Sequence, residues 1–244
     1  MRAAILFILG LVLGACAHPT PRPQAPTAPS AITGPRSGLA ERLRDETVAF
    51  VGRDREGDPR AFCSGVWVSE SSIITAAHCV EALDGNGLGS SLDFVEPSDM
   101  FEAGSLEERP FVVFNEGRVY AVDGDHDLAL VRGAGVTGHG YAHTTLAEVR
   151  PGAIVSTMGH PLGLWWSYSS GEVSAVRSKE IGLDTVWIQS TAPISPGNSG
   201  GGLFDEQGHL LGIASRCATR GQNLNFYVHG QYVDALLRRQ GRDL

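Results

Sequence analysis

The stretch Ile188-Gln189-Ser190-Thr191-Ala192-Pro193-Ile194-Ser195-Pro196-Gly197-Asn198-Ser199-Gly200-Gly201 decides the reading of this chain. An apolar run of strand length enters a tight Pro/Gly turn, and the turn presents a serine between glycines. Two other short runs answer it upstream. Thr75-Ala76-Ala77-His78-Cys79 carries a histidine, and His126-Asp127-Leu128-Ala129-Leu130-Val131 carries an aspartate at the head of an apolar strand. Each run alone has a bland explanation. A lone histidine is commonly structural, an aspartate beside a strand commonly sits in a turn, and a Gly-rich run is commonly a loop. Their joint occurrence, with histidine first, aspartate next and serine last, points to one site.

Around these runs the chain alternates short apolar segments with turn residues. Strands are expected at residues 48–51, 65–68, 73–75, 111–114, 119–122 and 128–131. A second set is expected at 154–158, 172–176, 186–189, 202–204, 210–214 and 225–228. These lengths and spacings suit β-barrels rather than strand–helix–strand units. Glycine, at 31 of 244 residues, is about twice its usual share of about 7%, as many tight turns require. Residues 39–45 read as a short helix and 231–239 as a terminal helix with Val233, Leu236 and Leu237 on one face. Residues 133–140 read as the link between two halves. Residues 84–96 read as a polar loop; Asp84, Asn86 and Gly89 hint at a calcium loop but lack its closing acidic residue. Trp165 and Trp166 read as a pair at the edge of the core.

The net charge is -8, from 19 basic and 27 acidic residues. That excludes a nucleic-acid partner, which demands clustered Lys and Arg. His139, His143, His160, His209 and His229 lack metal-ligand spacing, and neither metal nor cofactor is expected.

The N-terminal region is a targeting segment. Met1-Arg2 precede an apolar stretch too short to span a bilayer, ending in Leu13-Gly14-Ala15-Cys16. That tetrapeptide resembles a bacterial lipobox, which implies a signal peptide over residues 1–16 and acylation of Cys16. An ordinary secretory signal is the alternative. Residues 17–38 are rich in Pro, Thr, Ala and Ser and read as an extended tether. At roughly 3.1 Å per residue such a segment reaches about 60 Å. Residues 39–244 are left for the folded domain. Export makes a Cys63–Cys79 disulfide the expected pairing, with two buried thiols as the alternative. Cys217 is left over.

The three runs resemble the chymotrypsin-like serine peptidases, whose triad has this His–Asp–Ser order. Within that group the nearest likeness is to the protease domain of bacterial HtrA/Deg proteins. It is carried by Gly159-His160-Pro161-Leu162-Gly163, Gly171-Glu172-Val173-Ser174-Ala175 and residues 188–201. The resemblance spans roughly residues 45–237. Gly202 departs from it, standing where a proline is usual, and so does the cysteine pair at 63 and 79. The chain ends just after the last helix, so no PDZ module is expected.

The resemblance implies an all-β fold of two six-stranded antiparallel barrels. It implies a catalytic triad of His78, Asp127 and Ser199. The turn Gly197-Asn198-Ser199 would form the oxyanion hole, through the N–H groups of Gly197 and Ser199. Pro193, Ser215, Arg216 and Cys217 would flank the substrate pocket. Pro193 stands where trypsin-like relatives keep an acidic pocket base, so basic side chains are not expected there. The expected activity is endopeptidase cleavage of exported or misfolded proteins at the bacterial cell envelope. Ala17, which is not a retention signal for the inner membrane, leans the anchor toward the outer membrane, facing the periplasm. A peptide-binding protein without turnover and an esterase are the alternatives.

Overall fold

The computed structural model describes residues 34–53, 55–84, 91–97, 100–101, 111–112, 115–133, 140–145, 148–178, 184–218 and 221–241. Cys16 and most of the Pro-rich stretch lie outside the described residues, as do most of the 133–140 link and residues 113–114 of one expected strand.

A helix α1 (Ser37–Asp45) leads into strands β1 (Thr47–Arg53), β2 (Pro59–Ser69) and β3 (Ser72–Thr75). Helix α2 (Ala77–Asp84) follows, then β4 (Ser91–Val95), β5 (Met100–Phe101), β6 (Phe111–Val112), β7 (Asn115–Asp123) and β8 (Leu128–Gly133). The second half comprises β9 (Ile154–Gly159), β10 (Ser167–Ser178), β11 (Val186–Ser190), β12 (Gly202–Phe204), β13 (Leu210–Cys217), β14 (Asn225–His229) and helix α3 (Gly230–Arg239). Six strands close each barrel, in the orders β1-β2-β3-β8-β7-β4 and β10-β11-β14-β13-β12-β9, and β5 and β6 form a separate pair. All of these pairings are antiparallel.

The first four residues of β8, Leu128 to Val131, show why this stretch is an unbroken apolar run. Ala129 and Val131 point into the first barrel beside Trp67, Phe94 and Ile73. Leu128 and Leu130 point the other way, into the core shared with the second barrel, where they join Met158, Phe204 and Ile213. A strand buried on both faces has no position for a polar side chain. Burying each large apolar side chain stabilises the fold by about 1.5–3 kcal/mol. The shared core is closed by Leu43 of α1 and by Val233, Leu236 and Leu237 of α3. The ring of His229 caps α3 by accepting from the amide of Gln231 at 3.1 Å.

Two expectations, at β4 and β10, need correction, and α2 is an element that the sequence does not announce. Residues 91–95 form β4 rather than a polar loop, with Leu92 and Phe94 inside the barrel. The residues after Ala76 form α2, so His78 sits on the first turn of a helix. Strand β10 is far longer than 172–176. Its first half pairs with β9 and its second with β11, the register shifting between Val173 and Ala175. Trp165 and Trp166 do lie at a core edge, against Ala49, Val51, Ala61 and Val95.

Candidate active site

The candidate residues come from both barrels. His78 opens α2 just after β3, and Asp127 ends the Gly124–His126 turn between β7 and β8. Ser199 lies in the loop before β12. Nδ1 of His78 lies 2.9 Å from Oδ2 and 3.0 Å from Oδ1 of Asp127. The amide of His78 also donates to Oδ1 at 3.0 Å. Asp127 itself adopts a left-handed conformation, φ 53° and ψ 47°, which aspartate tolerates better than most residues.

The carboxylate has one further partner, the hydroxyl of Ser215 on β13, which donates to Oδ2. Burial by itself would raise the Asp127 carboxyl. The hydrogen bonds from His78 and Ser215 and the nearby imidazole outweigh it, and the net direction is downward. Asp127 is therefore an anion at neutral pH. Its side chain is 13% exposed, against 45% for His78, so the acid is sheltered while the imidazole meets solvent.

The disulfide Cys63–Cys79 is formed, with Cα atoms 6.1 Å apart. The carbonyl oxygen of Ser199 lies 3.7 Å from Sγ of Cys79. This is a contact and not a hydrogen bond, because a disulfide sulfur carries no proton. It sets the backbone of Ser199 beside the residue that follows His78. Ser199 is half-buried. Among the described residues its hydroxyl makes no hydrogen bond, as is common before substrate tightens a site.

The turn around Ser199 is sterically exacting. Gly197 has φ +99°, and a Cβ there would lie 2.2 Å from the carbonyl oxygen of His160. A Cβ on Gly200, φ +84°, would lie 2.1 Å from the carbonyl oxygen of Ser64. Among the described residues the amides of Gly197 and Ser199 have no acceptor, whereas that of Asn198 donates to the carbonyl of Ser195 at 2.9 Å. Asn198, expected in the same turn, has its own N–H consumed within it.

Two of the four expected pocket residues turn elsewhere. Ser215 faces Asp127, and the guanidinium of Arg216 lies over the Trp187 ring, 5.2 Å from its centroid. Pro193 and Cys217 are exposed. The free thiol of Cys217 ends β13 opposite Asn225. Nothing in the local sequence marks Ser215 as a partner of Asp127, since the two are 88 positions apart.

Two closed six-stranded barrels with these residues at their junction define the chymotrypsin-like architecture. The model of the trypsin-like peptidase domain matches residues 63–213, more than half of the chain, and the chain belongs to that family. Serine protease PepD of Mycobacterium tuberculosis is 36% identical over 126 residues, covering 45% of this chain and 27% of the relative. A probable periplasmic serine endoprotease, DegP-like, of Halomonas elongata is 30% identical over 193 residues, covering 75% of this chain and 35% of the relative. The chain thus spans roughly a third or less of the length of these relatives. The serine endoprotease of Yersinia pestis superposes with a TM-score of 0.65 at 20% identity, covering 87% of this chain and 70% of that structure. At that identity the match bears on the fold alone.

Proposed function

We propose that this chain is a serine endopeptidase of the HtrA type. The observation that carries the reading is the His78–Asp127 pair, held at 2.9 Å, beside a serine turn with two unpaired amides. A serine hydroxyl needs an adjacent base to become a nucleophile. Nδ1 of His78 faces Asp127, so Nε2 takes the Ser199 proton and later returns it to the leaving amine. Asp127 fixes the tautomer and stabilises the imidazolium. The amides of Gly197 and Ser199 receive the charge of the tetrahedral oxygen, each donor supporting about 3–4 kcal/mol of transition-state stabilisation.

Asn198 supports activity without an activating cut. An uncharged side chain there offers no partner for a new N-terminal ammonium. Its amide instead donates to the carbonyl of Pro193 at 3.4 Å. Cys217 at the rim favours small or medium apolar side chains at the residue before the scissile bond. A peptide library tests this, and strong cleavage after Arg would refute it. The substrates we infer are exported or misfolded proteins at the bacterial envelope, in keeping with the printed description of the Halomonas relative as periplasmic. Acylation of Cys16 holds the enzyme at the outer membrane, facing the periplasm. Metabolic labelling with a clickable fatty acid, lost in Cys16→Ser, tests the anchor.

The deciding experiment is digestion of unfolded casein by the chain and by Ser199→Ala. Cleavage by the first only supports the reading. Cleavage by both, or failure of a fluorophosphonate to label Ser199, refutes it.

A further inference from the structure

Four successive peptide units around Ser199 can be fully accounted for, and Ser64 is the residue that holds two of them. The carbonyl of Pro196 accepts from the amide of Leu162 at 2.6 Å, and the carbonyl of Asn198 accepts from the amide of Gly201 at 2.9 Å. The carbonyl of Gly197 accepts from Oγ of Ser64 at 2.8 Å. The carbonyl of Ser199 accepts from the amide of the same Ser64, again at 2.8 Å. In a trans peptide the C=O and N–H point in opposite directions. Tying the oxygen of one residue therefore aims the amide of the next: Leu162 and Gly201 hold the units that carry the Gly197 and Ser199 amides, and Ser64 holds the two units that alternate with them, which carry the Asn198 and Gly200 amides. The amides of Asn198 and Gly200 meet the carbonyls of Ser195 and Ala214, and those of Gly197 and Ser199 are left over.

Ser64 is itself immobilised. It is fully buried on β2, and its own carbonyl accepts from the hydroxyl of Thr75 at 2.7 Å. Its Oγ lies 2.9 Å from Nδ1 of His160 and 3.2 Å from the His160 amide. A carbonyl can only accept, so the single hydroxyl proton goes to Gly197 and the ring donates from Nδ1. That leaves Nε2 without a proton, consistent with its having no partner where it is buried beside Trp165 and Trp166. His160 is fully buried, and its burial favours the neutral ring.

We infer that Ser64, oriented by His160, is a positioning residue that steadies the oxyanion turn from the opposite barrel by clamping the Gly197 and Ser199 carbonyls, the peptide units on either side of the one that carries the Ser199 amide. The inference rests on the peptidase reading above.

The test compares the full chain with Ser64→Ala, His160→Leu and His160→Asn. Ser64→Ala keeps the backbone tie to Ser199 and loses the hydroxyl's tie to Gly197 together with its two contacts to His160. Its kcat on a fluorogenic casein-derived peptide is expected to fall about 10- to 100-fold with KM within about twofold, the pattern of a lost transition-state interaction. Affinity for a peptide aldehyde, whose adduct places an oxyanion in the hole, should weaken by the same factor. Affinity for the matching peptide amide should not change. H160N, which keeps a side-chain N–H, should fall much less than H160L. A folded Ser64→Ala chain with kcat within about twofold of the parent overturns the clamp. So does equal weakening of aldehyde and amide, which marks general structural support. If the parent neither cleaves nor binds the aldehyde, the peptidase reading fails. The amide resonance of Asn198, in the unit that the Ser64 hydroxyl holds, then decides the clamp: displaced in Ser64→Ala it stands, unmoved it falls.

Discussion

The hydroxyl of Ser215 and Nδ1 of His78 converge on the same oxygen, Oδ2 of Asp127. The carboxylate is therefore held between the two barrels and not by the His78 segment alone. Ser215→Ala should leave the His78–Asp127 bond in place but loosen its angle. We expect kcat to fall about 10-fold with little change in KM, because orientation of the base matters chiefly in the transition state. Steady-state kinetics on one peptide checks this.

Asp127 and Glu46 should shape stability at opposite ends of the pH scale. The folded Asp127 carboxyl is held below its ordinary value, so its contribution is present above about pH 4 and is lost as pH falls through the folded value. Glu46 is raised from 4.5 to about 7, first by burial, with Arg42 opposing. Its contribution is present below pH 4.5 and is lost as pH rises through 7, by an amount on the order of 3 kcal/mol. Glu46→Gln should therefore match the parent at pH 4 and melt at a higher temperature at pH 8. Thermal denaturation at the two pH values checks this.

Opening the Cys63–Cys79 bridge frees a loop with a sequence separation of 16. The chain-entropy model assigns such a closure about 3 kcal/mol. For a domain of this size the Cys63→Ala/Cys79→Ala chain should melt about 6–12 °C lower. Calorimetry of the two chains under non-reducing conditions gives the comparison.

Of the described cysteines, Cys217 alone is free and exposed. A maleimide should modify it in the native chain, and Cys63 and Cys79 only after reduction and unfolding. Peptide mapping reads the outcome. If Cys217 borders the substrate pocket as proposed, the bulky adduct should slow peptide cleavage at least several-fold.

The barrels were legible because their strands are written locally. Runs such as Leu128-Ala129-Leu130-Val131 show burial on both faces without reference to any other segment. Strand β4 leaves little trace in the sequence because it is only five residues long, with Leu92 and Phe94 inside the barrel, Val95 buried on its other face, and exposed Ser91 and Asp93 between. Helix α2 escapes notice because its eight residues are too few for periodicity to stand out. His78, Asp127 and Ser199 were legible as short words. Their supports were not, since hydrogen-bond partners drawn from distant strands leave no local pattern. Ser64 and His160 are 96 positions apart, and each by itself reads as an ordinary buried residue.

His78 and Asp127 belong to one barrel and Ser199 to the other, with a single apolar layer between. In the proposed mechanism the two halves of the reacting pair are thus registered by the same side chains that weld the barrels together. Slackening that layer, for example with Leu128→Ala or Phe204→Ala, would let nucleophile and base drift apart before either barrel loses its strands. Hydrolytic activity would then disappear on warming several degrees ahead of the far-ultraviolet circular dichroism signal. The proposed turnover would in that sense be a thermometer of inter-barrel packing.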